Sequence, residues 1–150
     1  MSSQTQAQIP NQIQSQSNQV QVKTQLGDIT IEIVRVEKRY NIKPEEIPSQ
    51  VKKYLFASDN GVKKVLLYSH DTWGSCREWK SIVLNSDGSY LPEGEWIDSS
   101  SRKNVHKYKA MDLQQFLEKY RGKELVVYIH ESPSCNKSRE FSFRAVVRVL

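Results

Sequence analysis

One run of residues occurs twice in this chain and constrains its fold more than any other feature. The first copy is Tyr68-Ser-His-Asp-Thr-Trp-Gly-Ser-Cys-Arg-Glu-Trp79, and the second is Tyr128-Ile-His-Glu-Ser-Pro-Ser-Cys-Asn-Lys-Ser-Arg-Glu-Phe141. Tyr, His, Ser, Cys, Arg and Glu recur in the same order, and an acid follows each His. Self-similarity in a fixed order is typical of internal duplication. We therefore expect two related halves, each carrying one His/Cys loop.

The same order of elements surrounds both copies. Apolar residues at helical spacing predict a helix over 47–57, followed by strands over 62–68 and 77–85. In the second half, Asp112 is a candidate N-cap and Gly122 a candidate C-terminal stop, so a helix is expected between them, followed by strands over 124–129 and 139–150. The half-repeats then span about 44–85 and 111–150, and a surface loop over 92–109 links them.

These elements predict an α+β fold with an antiparallel sheet. Two helices should cover one face of the sheet, and the tandem helix-strand-loop-strand repeat should have approximate internal two-fold symmetry, because duplicated units often pair about such an axis. Before the repeats, residues 28–36 alternate apolar and polar side chains and predict a strand, which residues 20–24 could join as a hairpin. We expect a single domain over 26–150.

The first 25 residues have a different composition. Gln alternates there with Ser, Thr, Asn and Ala, and Lys23 is the only charged side chain. So little apolar surface cannot offset the entropy lost on ordering the chain. We therefore expect residues 1–25 to be a disordered tail that tethers or solubilises the domain.

Charge and hydropathy narrow the class of protein. The chain has 22 basic and 17 acidic residues, a formal net charge of +5, which permits nucleic acid or an acidic protein as partner. No apolar run reaches the roughly 18 residues that a membrane helix needs. The start of the chain lacks the basic and apolar regions of a signal peptide. We expect a cytoplasmic protein that has no membrane partner.

The repeated His and Cys residues allow two opposed interpretations. His70, Cys76, His130 and Cys135 supply two imidazoles and two thiolates, which is a tetrahedral zinc set, although its chelate spacing is looser than that of known zinc motifs. Alternatively, Cys76 and Cys135 form a disulfide, which would suit an oxidising compartment or the cytoplasm of a hyperthermophile. The cysteines could also be buried small side chains without either role.

A basic segment at the end of the linking loop is the candidate nucleic-acid site. It consists of Arg102, Lys103, Lys107, Tyr108 and Lys109, and aromatic residues stand in nearby loops. Lysine and arginine bind backbone phosphates, and aromatic rings stack on bases. The chain has no helix-turn-helix, RNP aromatic signature or zinc-finger spacing, so binding without strong sequence preference is expected.

The sequence favours a small basic, non-enzymatic accessory protein that contacts nucleic acid or a nucleoprotein complex. No Gly-rich phosphate loop, HExxH motif or EF-hand pattern points to catalysis. One alternative is a metal-dependent, nuclease-like hydrolase that uses His70 and His130 with the neighbouring acids. Another is a protein-interaction subunit. No cofactor is assured, and zinc is the single candidate.

Overall fold

The computed structural model describes residues 18–56 and 61–150. About 54% of these residues lie in strands and 18% in helices. The eight strands are β1 (Gln19–Thr24), β2 (Gly27–Tyr40), β3 (Lys64–Trp73), β4 (Arg77–Asn85), β5 (Glu95–Asp98), β6 (His106–Asp112), β7 (Glu124–Ser132) and β8 (Phe141–Val149). The two α-helices are α1 (Ile47–Leu55) and α2 (Leu113–Tyr120), and short 3-10 turns cover Pro44–Glu46 and Lys137–Arg139.

All eight strands join one sheet that curls into a half-barrel. Their order is β1-β2-β8-β7-β4-β3-β6-β5, and each neighbouring pair is antiparallel. The predicted hairpin of residues 20–24 with 28–36 is present as β1 and β2. The two motif copies therefore lie at the β3–β4 and β7–β8 turns, with β4 and β7 side by side at the centre of the sheet.

The described residues form one apolar core, which lies on one face of this sheet. Because successive strand residues point to opposite faces, the alternating β-branched residues of β2 place Ile29, Ile31 and Ile33 together in the core. The apolar stripes of α1 and α2 join the same cluster, including Val51 and Phe116, which are fully buried. Both helices thus cover one face, called here the helix face. The opposite face is called the open face.

The predicted α+β class with two-fold symmetry is wrong. In the part of the chain that the structure describes, strand dominates over two short helices, and no clear repeat is seen. A two-fold axis relating the halves would exchange β3 with β7 and β4 with β8, so the β4–β7 contact would require an equivalent β8–β3 contact. Instead β8 lies beside β2, and β3 lies beside β6. The shared residue order of the motif is a property of the sequence and does not fix the neighbours of each strand.

The predicted loop over 92–109 accounts for part of this error, since it contains β5 and the start of β6. Gly94 makes this possible: its φ is +99°, and a Cβ there would lie 2.9 Å from the carbonyl oxygen of Ala110. Only glycine combines this backbone conformation with so close an approach to β6. Of the predicted tail, residues 19–24 form β1, and residues 1–17 lie outside the described residues.

Candidate nucleic-acid interface

The two motif copies direct their histidines and acids to opposite faces of the sheet, as strand alternation requires. On the open face, His70 Nε2 lies 2.9 Å from Glu78 Oε2. On the helix face, the hydroxyl of Tyr108 donates to Asp71 Oδ2 at 2.6 Å. In the second copy, the acid Glu131 accepts a hydrogen bond from the hydroxyl of Tyr54 at 2.6 Å. Neighbouring His and acid residues therefore serve different surfaces.

Two rows of open-face residues cross the sheet from strand to strand. The first, called the aromatic row, consists of directly paired residues in the order Trp96, Lys109, Tyr68, Ile82, Tyr128, Arg144 and Lys38. The second, called the histidine row, runs beside the first at a distance of two residues on every strand. It consists of Asp98, Lys107, His70, Lys80, His130, Ser142 and Tyr40. Together the rows carry five basic side chains, four aromatic rings and one acid.

The end of these rows at β5 forms a pocket, called here the Trp96 pocket. Its volume is about 560 Å³, and its lining includes Tyr68, Lys80, Tyr90, Trp96, Lys107, Lys109 and Tyr128. The Trp96 side chain is 55% exposed and meets the Tyr68 ring edge-on, with 5.4 Å between the ring centroids. Aromatic surface left this open to solvent typically marks a binding site when it is clustered rather than scattered.

Three lysines surround the Trp96 pocket. Lys107 Nζ lies 5.0 Å and Lys109 Nζ 5.7 Å from the centroid of the Trp96 ring, within cation–π range. Lys109 also donates to the carbonyl oxygen of Leu91 at 2.8 Å, which fixes its position. In the described part of the chain, the lysines in ion pairs are Lys53, Lys64, Lys119 and Lys137. None of the pocket lysines, Lys80 included, forms such an ion pair, although the carboxylates of Glu78 and Asp98 attract Lys80 and Lys107 from beyond ion-pair distance.

The two histidines of the histidine row belong to a histidine–glutamate cluster. Glu78 contacts both imidazoles, at 2.9 Å from His70 and 3.5 Å from His130, and Glu140 lies 3.5 Å from His130. The hydrogen bond with His70 is the main reason why the pKa of Glu78 is lowered. Glu78 therefore carries its charge at neutral pH, and it limits the positive surface on this side.

The two cysteines of the motif bond to each other. Cys76 and Cys135 form a disulfide between the β3–β4 and β7–β8 turns, with 4.7 Å between their Cα atoms, so the disulfide interpretation is confirmed. The thiolates are then not available to a metal. Within 18–56 and 61–150, no group of three or more His, Cys, Asp or Glu residues is placed to hold one. The zinc interpretation of His70, Cys76, His130 and Cys135 is not supported.

The predicted basic segment is divided between different surfaces. Lys107 and Lys109 lie on the open face in β6, whereas Tyr108 between them points to the helix face and bonds Asp71. Arg102 and Lys103 are exposed in the β5–β6 connection, outside the rows. Sequence reasoning missed the parts of the rows that come from other strands. The alternation along each strand could have identified them. Tyr68, Lys80 and Tyr128 stand at every second position, between residues of the buried face, and therefore point to the open face.

Comparisons of the chain with protein-family models, curated proteins and solved structures give no match. No helix in the described residues has the length and apolar character needed to cross a membrane. The assignment of function therefore depends on the open face itself.

Proposed function

We propose that this protein is a non-enzymatic binding protein that holds single-stranded nucleic acid on its open face. The observation that carries the proposal is the meeting of exposed aromatic rings and unpaired lysines at the Trp96 pocket. Sequence-tolerant single-strand binders combine these two groups, because every base has a ring face to stack and every nucleotide has a phosphate.

The proposed roles follow from position. Trp96, more than half exposed, offers a ring face to a base. Lys80 and Lys107 contact the phosphates on either side, and Lys109, held by the Leu91 carbonyl, stays in contact with the Trp96 ring. The aromatic row continues the path across the sheet to Tyr128 and Arg144. Arg144 contributes less, because Glu37 already pairs with it at 3.2 Å.

A single strand suits this surface better than a duplex. In a duplex the bases are stacked on each other and cannot reach a protein ring without being flipped out, which costs a few kcal/mol. No helix in the described residues presents a row of basic side chains that could enter a major groove. We therefore expect preference for single strands and weak choice among sequences.

Fluorescence anisotropy of labelled oligonucleotides tests the proposal. The probes are oligothymidylate and oligouridylate of about twelve nucleotides, and a duplex of the same length, at salt concentrations between about 50 and 200 mM. Trp96→Ala should weaken single-strand binding by about tenfold, in line with roughly 1–3 kcal/mol for one stacked base. Lys80→Ala combined with Lys107→Ala should reduce the slope of log K against log salt by about 1.4, since each phosphate contact contributes about 0.7.

Lys52→Ala is the matched control, because Lys52 is an exposed lysine on α1, on the helix face. It should leave both affinity and salt slope unchanged. Equal losses in the Lys52 variant and the open-face variants would mean that only total charge matters. Tighter binding of the duplex than of either single strand would contradict the proposal.

A further inference from the structure

A second cavity lies on the helix face, below the C-terminal end of α1. Its volume is about 460 Å³, and it is lined by Lys53, Tyr54, Leu66, Ser69, Asp71, Trp73, Trp79 and Tyr108. Four of these eight residues are aromatic. Trp79 packs against the edge of the core, and Trp73 is 54% exposed at the mouth. The cavity, called here the cage, thus has ring walls and an opening to solvent.

Two carboxylates with fixed orientation lie at the cage. Asp71 is part of the lining, and its two oxygens accept hydrogen bonds from the hydroxyl of Tyr108 and from Nδ1 of His106. Glu131 lies behind the Tyr54 hydroxyl, and its side chain is 13% exposed. Burial and the bond to Asp71 raise the pKa of Tyr108 to about 12, so Tyr108 stays a hydrogen-bond donor at neutral pH. Both acids therefore accept from tyrosine hydroxyls.

One ammonium group already occupies the edge of the cage. Lys53 Nζ lies 3.2 Å from Glu131 Oε2 and 5.4 Å from the centroid of the Tyr54 ring. This is the pair of contacts that proteins use for organic cations, a carboxylate as counter-charge and an aromatic face as neighbour. Lys53 contacts Glu131 from the solvent side of the cage, and 56% of the Lys53 side chain is exposed. Asp71, on the neighbouring side, pairs with the His106 ring and has no ammonium partner among the described residues.

We propose that the cage binds a quaternary alkylammonium group, either of a small organic cation or of a trimethylated lysine side chain of a partner protein. Asp71 supplies the counter-charge, Trp73, Trp79 and Tyr108 surround the apolar part of the cation, and His106 and Tyr108 hold the Asp71 carboxylate in place. The cage and the Trp96 pocket lie on opposite faces of β3. Binding at the cage is therefore independent of the proposed nucleic-acid function, and either can fail alone.

Tryptophan fluorescence tests this inference directly. The chain has three tryptophans, and Trp96→Phe removes the one on the open face, so the remaining emission reports Trp73 and Trp79, which both line the cage. The probe is choline, and its neutral isostere 3,3-dimethylbutan-1-ol is the matched control. Choline should change the emission saturably, and the isostere should bind about tenfold more weakly, because it lacks the charge that ring faces and Asp71 attract.

Asp71→Asn adds a second criterion, since it keeps the shape of the side chain and removes its charge. We expect choline affinity to fall about tenfold in this variant, with the circular dichroism spectrum unchanged. Equal binding of choline and its isostere by the Trp96→Phe protein would overturn the inference even if the Asn variant does not fold. A peptide containing trimethyllysine then separates the sources: tighter binding than choline indicates a protein partner, and equal binding indicates a small cation.

Discussion

Removal of the disulfide should lower the thermal stability of the protein by a large and calculable amount. Cys76 and Cys135 are 59 residues apart in sequence, and they connect two turns that extend from the centre of the sheet. The perturbation is the double substitution Cys76→Ser with Cys135→Ser, which avoids leaving one reactive thiol. The strands that the bond joins are already paired through β4 and β7, so the native fold should survive without it.

The magnitude follows from the length of the closed loop. Cross-linking residues this far apart removes conformational entropy from the unfolded chain equivalent to about 4 kcal/mol at 25 °C in the chain-entropy relation. For a folded region of about 130 residues, the unfolding entropy near the midpoint makes this equal to a fall in Tm of about 15 °C. The loss appears in the stability of the fold rather than in the open face, so oligonucleotide affinity at 20 °C should be unchanged.

Scanning calorimetry with and without reductant provides the assay. The double variant should melt about 15 °C below the oxidised wild type, and reductant should lower the wild type to the same midpoint while leaving the variant unaffected. A variant that melts within about 3 °C of the wild type would refute the reasoning. An unchanged wild-type midpoint in reductant, with both thiols shown to be free, would refute it as well.

Three further changes test the packing and charge of the fold. Leu91→Ala should cost about 2–5 kcal/mol in the free energy of unfolding, because Leu91 is 2% exposed in the core. The control Leu26→Ala, at a 56% exposed position, should cost almost nothing. Equal denaturant midpoints for the two variants would contradict the burial of the segment before β5. Tyr54→Phe leaves a carboxylate without its buried donor and should cost about 1–3 kcal/mol, measured by urea titration, and an unchanged midpoint would contradict the bond. Because the pKa of Glu78 is lowered in the folded protein, its contribution to stability is present above the unfolded pKa and is lost as the pH falls through the folded pKa. Glu78→Gln should therefore reduce the fall in Tm that acidification causes. An identical fall in Tm in both proteins would argue against the His70 contact.

The strands with the clearest alternation could be predicted from sequence. Residues 28–36 and 141–147 alternate apolar and polar side chains, and they lie in β2 and β8. The same period explains why His70 and Asp71 serve opposite faces, since strand neighbours always diverge. The pairing of Cys76 with Cys135 is one of three interpretations that the sequence allows, beside zinc ligation and burial without either role.

The remaining features depend on strand order and register, which no local pattern encodes. Residues 92–105 contain Pro, Gly and several Ser, a composition typical of loops, and the sequence therefore does not predict strand β5 there. Trp96 reaches Tyr68 only because β6 lies between their strands. The aromatic row uses residues from seven strands, and each is unremarkable in its own segment. The prediction of internal two-fold symmetry was wrong because a shared motif does not determine which strands become neighbours.

The disulfide also bears on where the protein works. Such bonds persist in oxidising compartments, and inside cells they are common in hyperthermophiles. The predicted cytoplasmic location is compatible with the Cys76–Cys135 bond in the second setting.

The indole signals of the three tryptophans provide the most direct test of the open face. In a ¹H–¹⁵N spectrum each indole N–H gives one signal, and Trp→Phe variants assign them. On titration with a single-stranded oligonucleotide, we expect the Trp96 signal to shift to saturation, while the signals of Trp73 and Trp79, on the opposite face, stay in place. Shifts of Trp73 and Trp79 with Trp96 unchanged, or no indole shift in a sample that anisotropy shows to be saturated, would contradict binding at the Trp96 pocket.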